Sequence, residues 1–405
     1  MTIFKRNIFL IKIFLFIVTG LVPANSETIK IDINTALEYQ SKKTFTKLNN
    51  IRSTNINSNY KSDNLHSNLS ISKGNNNFNL DDSFINYKAG NLTFGIGKIN
   101  RNWSYSKNTS IILSSNSRPP TSIYFKINEK NNSKFPTLAL IGPWSLEIFN
   151  ARVNSKNLQR SMLLGTRATI NPVENLHIEF FKTSQWGGNK YDKSLSSLKA
   201  AFLGNTNEGS FSDINQMAGV GFSYNISDSK FPLRFYTQVA GEDEAGGLPS
   251  CLMYMAGLEW NNTISHQKFS FNLEFIDTRI NKSRNGFCGP NTAYNNSIYE
   301  YSNYGVVMGA PIDTESKEIL LAASTKLSSN LQFKYSLRNL LLNDANWKNH
   351  RLSSLRQHGL INSIDMSWSK GILNLSSGIE YQDMTLDNAD INNGLSYNLK
   401  VALNF

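Results

Sequence analysis

Apolar and polar residues alternate along much of this chain, most cleanly over its last twelve residues. Leu395, Tyr397, Leu399, Val401, Leu403 and Phe405 are apolar, and the interleaved Ser396, Asn398, Lys400, Ala402 and Asn404 are mostly polar. Successive side chains of a strand point to opposite faces, so this segment is a strand with one oily side and one wet side. The same period recurs. Leu331, Phe333, Tyr335 and Leu337 alternate with Gln332, Lys334, Ser336 and Arg338. Phe269, Phe271, Leu273 and Phe275 oppose Ser270, Asn272 and Glu274, while Leu233, Phe235 and Val239 oppose Arg234 and Gln238. Leu373, Leu375, Ile379 and Tyr381 oppose Asn374, Ser376 and Glu380.

Repetition on this scale points to an all-β transmembrane antiparallel barrel. A charge facing lipid near the midplane would cost ~2–4 kcal/mol, so Arg234, Lys334, Arg338 and Glu380 are expected to face the lumen. Weaker strands are predicted over 35–43, 45–57, 65–73, 78–88, 91–99, 121–127, 138–150, 160–170, 175–186, 214–224, 251–261, 317–327 and 358–369. A further stretch, 299–310, is ambiguous. Single-chain bacterial barrels have even strand numbers, short periplasmic turns and long outer loops. Counting turns from both ends agrees only if 299–310 is not a wall strand. The expectation is therefore about 18 strands, with 280–316 a single external segment. The other long outer connections fall at 100–120, 187–213, 242–250, 342–357 and 385–393, with a short helix in 194–204. A barrel this wide encloses a channel unless loops fold toward the lumen and fill it.

Composition fits. Apolar residues are 40% and aromatic residues 11% of 405, as expected for an apolar outer face around polar interior and loops. Residues 1–26 read as a signal peptide: Lys5 and Arg6 lead, an apolar run follows from Ile8 to Val18, and small residues lie around Ala24 and Ser26. The barrel then occupies 27–405, at the outer membrane of a Gram-negative bacterium. Its expected partners are membrane lipid, lipopolysaccharide and the barrel-assembly machinery, and it is expected to be a monomer. Removing the leader takes the formal charge from +11 to +8, which favours polyanions at the surface. No nucleic-acid module, cofactor motif or catalytic signature is present, and the five histidines sit in no motif. Cys251 and Cys288 are the two cysteines. Both fall on the outer side, where an oxidising compartment permits but does not require their pairing.

Five motifs occur in order. They are Ile111-Ile-Leu-Ser-Ser-Asn-Ser-Arg-Pro119, Ile141-Gly-Pro-Trp-Ser145, Thr183-Ser-Gln-Trp-Gly187, Gly241-Glu-Asp-Glu-Ala-Gly-Gly-Leu-Pro-Ser250 and Ala293-Tyr-Asn-Asn-Ser-Ile-Tyr299. With these the chain resembles the capsule-assembly Wzi family, outer-membrane barrel lectins that help hold capsular polysaccharide on the cell surface. The resemblance implies capsular or other surface polysaccharide as partner and no enzymatic activity. It also implies an N-terminal helical region, for which this sequence leaves little room before its first strand.

Sugar recognition needs aromatic faces for the apolar sides of rings, and acidic sugars add a need for Arg or Lys. Candidate polysaccharide-binding residues on the outer connections are Arg101, Trp103, Tyr105, Arg118, Gln185, Trp186, Tyr294, Asn295 and Tyr299, and the 280–316 segment also offers Tyr301. The competing reading places the aromatic residues in the interfacial girdle. Glu242, Asp243 and Glu244 read either as a hydroxyl- or cation-gripping loop or as a tight turn salt-bridged to Arg234. No metal site is assigned. The rival function is an anion-favouring porin, its lumen lined by Arg234, Lys268, Lys334, Arg338 and Lys400.

Overall fold

A computed structural model describes residues 30–46, 52–74, 78–130, 139–155, 158–204, 213–226, 232–245, 248–280 and 288–405. The leader expected over residues 1–26 lies outside the described residues, as does the start of the following segment. The first wall strand, Lys30–Gln40, pairs with Arg52–Lys61 on one side and with the last strand, Gly394–Asn404, on the other. Every other wall strand pairs antiparallel with its neighbours in sequence. The sheet therefore closes as an 18-stranded barrel with no free edge, as lipid requires of a spanning sheet.

The alternation read from the sequence is the alternation of the wall. Leu395, Tyr397 and Leu399 are 61%, 54% and 49% exposed, whereas Ser396 between them is 3% exposed. Phe271, Leu273 and Phe275 point out while Glu274 is buried inside. Arg234 faces the lumen across from Glu259, Arg338 pairs there with Glu318, and Glu380 accepts a hydrogen bond from Thr46. Lys334 shares the inward face of Ser336 and Arg338.

Strand ends differ from the expectations where turn chemistry intervenes. The strand expected over 138–150 is Trp144–Asn154, because Pro143 offers no N–H to a ladder and Gly142 before it turns at φ +67°. The strand expected over 45–57 is Arg52–Lys61. The one expected over 78–88 comes in two pieces, Phe78–Asn79 and Phe84–Ala89. Between them the hydroxyl of Ser83 accepts from the amide of Ser70 and donates to its carbonyl, at 2.9 and 3.0 Å. A side chain thus replaces one ladder pair, as at a bulge.

The connection expected over 242–250 is strand up to Ala245 and again from Leu248. Strands Leu233–Ala245 and Leu248–Ile264 continue their pairing through Asp243↔Ser250 and Ala245↔Leu248. The 299–310 stretch, left out of the wall, contains only a small hairpin, Ser302–Asn303 with Val306–Val307. A helix occupies Leu195–Leu203, begun by the hydroxyl of Ser194 accepting from the amide of Ser197 and ended at Gly204 with φ +89°.

Candidate functional site

The long connections fold into the barrel. Residues 99–120 cross the lumen from the strand Thr121–Glu129 to the far wall. There Ser106 donates to Glu274, Lys107 pairs with Glu259, and the amide of Ile111 donates to Gln238 at 2.9 Å. The segment between Asp277 and Lys317 packs on top. The Ser114 amide donates to the Met308 carbonyl at 2.8 Å, and the Tyr294 hydroxyl donates to the Ile111 carbonyl at 2.6 Å. One apolar cluster joins loop residues Trp103, Ile112, Tyr301, Met308, Leu352 and Leu386 to inward wall residues such as Phe149, Met253 and Ile361. Cys251 and Cys288 are joined by a disulfide, Cα–Cα 5.4 Å, which ties the 278–316 segment to the wall.

The residues singled out for sugar contact are mostly parts of this plug. Trp103 is 1% exposed, packs edge-on against Phe149 and donates its indole N–H to Glu147 at 3.4 Å. Arg101 is buried, donates to Glu147 at 2.8 Å and to Ser122 at 3.2 Å, and lies 4.1 Å from the Phe149 ring centroid. Tyr105 is half-buried beside His177. Gln185 donates to the Glu300 carbonyl at 3.0 Å. Trp186 is buried on the other side of the wall, its indole N–H 3.3 Å from Asn150. Tyr294 and Tyr299 are fully buried, Tyr299 donating to the Gly187 carbonyl at 2.8 Å. Asn295 accepts from Arg351 at 3.0 Å. Each is accounted for as packing, and of these only Tyr105 and Asn295 keep partial exposure.

Of the acidic trio, the side chain of Glu242 is described, and it does not form the salt bridge to Arg234 expected of the turn reading. Glu242 is buried and accepts from the amide of Tyr294 at 3.1 Å and from the Asn215 amide group at 3.4 Å. It does not meet Arg234. Eight residues of strand put Arg234 at the opposite end of the barrel, about 27 Å away at ~3.4 Å per residue, and Arg234 pairs with Glu259 instead. Asp243 and Glu244 sit on the extended strand, their backbones paired with Ser250 and Pro249. Lumen charge is balanced in the same manner: Arg167 meets Glu179 and Arg338 meets Glu318.

Among the candidates Arg118 reaches the outer surface. It grips Asp81 with two hydrogen bonds of 2.7 and 3.0 Å, shares that carboxylate with Lys98, and lies 4.6 Å from the ring centroid of Tyr304. Tyr304, not singled out from the sequence, is 48% exposed at the turn of the small hairpin. Its φ of +53° and that of Gly305, +76°, make the turn that lifts the ring outward. The signal for it was faint, a Tyr-Gly pair within a stretch read as ambiguous. Elsewhere on the lid, the connection 343–356 is pinned by Asn343. That side chain donates to the Trp347 and Ser353 carbonyls, both at 2.9 Å, and accepts from the Trp347 amide at 2.7 Å. Among the described residues the outer end is thus a packed lid, and Tyr304 with Arg118 forms an exposed aromatic–cation corner on it.

The model of the capsule assembly protein Wzi family matches residues 29–395. The chain belongs to that family. A solved Wzi family structure, reported as an outer-membrane protein involved in group 1 capsule assembly in Escherichia coli and a carbohydrate-binding β-barrel, superposes with a TM-score of 0.80 at 21% identity. The match covers 93% of this chain and 85% of that one. A Klebsiella pneumoniae relative, described as an uncharacterised 55.8 kDa protein in the cps region, is 29% identical over 209 residues. These are 51% of this chain and 42% of the relative, so the match spans less than half of the relative's length. The Pseudomonas aeruginosa outer membrane protein OprD shares the barrel fold, with a TM-score of 0.54 at 12% identity over 95% of this chain and 97% of that one. Family membership and the closed barrel place the protein in the Gram-negative outer membrane.

Proposed function

We propose that this Wzi family barrel holds capsular or other surface polysaccharide against the cell at the face made by its long connections, and performs no chemistry. The observation that carries the reading is the corner of Tyr304 and Arg118, an exposed ring against a guanidinium beside the loop residues that pack Trp103, Tyr294 and Tyr301 inward. An exposed ring covers the apolar side of a sugar, and a guanidinium beside it attracts uronic-acid or phosphate groups. The carbohydrate binding reported for the Escherichia coli relative supports the same assignment. Connections that cross the lumen argue against the porin alternative, and two of the cations that would favour anions, Arg234 and Arg338, are paired with wall glutamates.

Replacing Tyr304 with Ala tests this. The ring packs against no buried core, so the barrel should assemble normally. Capture of purified capsular polysaccharide by the immobilised protein should weaken about tenfold or more, a change of ~1.4 kcal/mol, and cells should shed capsule into the medium. Unchanged capture would remove this corner from the site. Changing Trp103 or Trp186 is a poorer test, since loss of either disturbs packing before it disturbs binding.

A further inference from the structure

The helix Leu195–Leu203 lies on the lipid side of the wall. Along the strands it touches, inward residues such as Phe149, Leu163 and Phe181 belong to the plugged interior, whereas the helix packs on Leu164, Trp186, Ile148 and Met162. The latter positions alternate with the former, so they face outward. The helix approaches closely through Ser197, Ala200 and Ala201. Wall side chains satisfy its last carbonyls: Ser184 donates to Ala201 at 2.8 Å and Lys182 to Phe202 at 3.4 Å.

Among the described residues, none covers its next face. Leu195, Leu198 and Phe202, one stripe of the helix, overhang Phe94, Ile123 and Phe125 of the wall to form a groove of about 580 Å³. Leu195 is 84% and Phe202 47% exposed. Cations gather at the upper end of this groove. Lys199 lines it, and Arg152 stands on the outward face two residues above Asn150 of the lining, ~7 Å nearer the rim. Arg160 and Lys193 are exposed beyond, with Asp192, already bonded to Ser194, the acid nearest in sequence.

We infer that this groove binds the lipid A part of lipopolysaccharide, an acyl chain lying along the apolar floor and a headgroup phosphate meeting Arg152 and Lys199. The groove opens at the long-connection end, which faces the outer leaflet, and there the resident amphiphile carries several acyl chains on a phosphorylated sugar. Apolar floor and basic rim follow one another in the order that such a molecule presents them. The inference is independent of the polysaccharide reading, since it uses the opposite side of the wall from the plug.

Binding is measured by titrating the delipidated, folded protein with purified lipid A and, separately, with phosphatidylglycerol, counting bound lipids by native mass spectrometry. Lipid A should bind at least tenfold tighter than phosphatidylglycerol. Leu195→Glu, which places a carboxylate at the groove mouth, and the pair Arg152→Ala with Lys199→Ala should each weaken it about tenfold. Leu203→Glu, on the same helix but outside the groove, should leave it unchanged. All these positions are exposed, so heat-modifiable migration on gels should remain that of a closed barrel. Equal binding of the two lipids, or wild-type affinity in both groove variants, overturns the inference.

Discussion

A carboxylate turned into a filled lumen must find a cation or a donor, because an uncompensated buried charge costs several kcal/mol. Glu147 meets Arg101 and Lys126, Glu179 meets Arg167, and Glu259 meets Arg234 and Lys107. Arg101 and Lys107 come from the 99–120 connection, so these pairs hold the plug as well as neutralise the wall. Glycine makes room for it: a Cβ on Gly165 would lie 2.7 Å from the Trp103 ring and 2.2 Å from Phe149. His350 is the residue of the plug that senses pH. Its Nε2–H donates to the Thr314 carbonyl at 3.0 Å and its Nδ1 accepts from the Leu352 amide at 3.2 Å, which requires a neutral ring. Burial pushes its pKa below the usual histidine value, by more than neighbouring Asp313 pushes it up. An undocked loop therefore binds the proton more readily than the docked one. Docking of 343–356 is at full strength above about pH 6.5 and weakens as pH falls below that value. Amide hydrogen exchange, corrected for its intrinsic pH dependence, should show lower protection of this loop at pH 5.5 than at 7.5. His350→Gln should flatten the difference.

The elements were legible in proportion to how locally they are determined. Lipid on one side and packed residues on the other force a period of two, so strands such as Gly394–Asn404 could be read from their own residues. The helix at Leu195–Leu203 announced itself between Ser194 and Gly204, but its position outside the wall depends on Trp186 and Leu164, residues distant in sequence. The connections were legible as long and aromatic, and their direction was not. Trp and Arg serve a sugar site and a packed interior equally well, and the choice is made by partners such as Glu147 and Gln238 on remote strands. A usable signal was present in the wall, where the wet faces of several strands carry glutamates that need cations from elsewhere. The disulfide acts at this scale. It closes a loop of 37 residues, which chain-entropy arguments value at ~4 kcal/mol. Cys288→Ser should lower the thermal unfolding midpoint in detergent and expose 278–316 to protease, whereas unchanged protease resistance would show that packing alone seats the segment.

For the whole molecule, closure is the governing fact. Eighteen strands leave a lumen wide enough for a channel, and the protein shares that architecture with OprD. Here residues of 99–120, 278–316 and 343–356 meet in one apolar cluster across the barrel. With these connections crossing the lumen, the proposed polymer contact lies on the lid, at Tyr304 and Arg118, and the outside of the wall is left to lipid. The most direct measurement is single-channel conductance of the purified, oxidised protein in a planar bilayer. The account predicts no steady current from the intact protein and an open channel once residues 102–117 are deleted. A stable ohmic channel from the intact protein would contradict it.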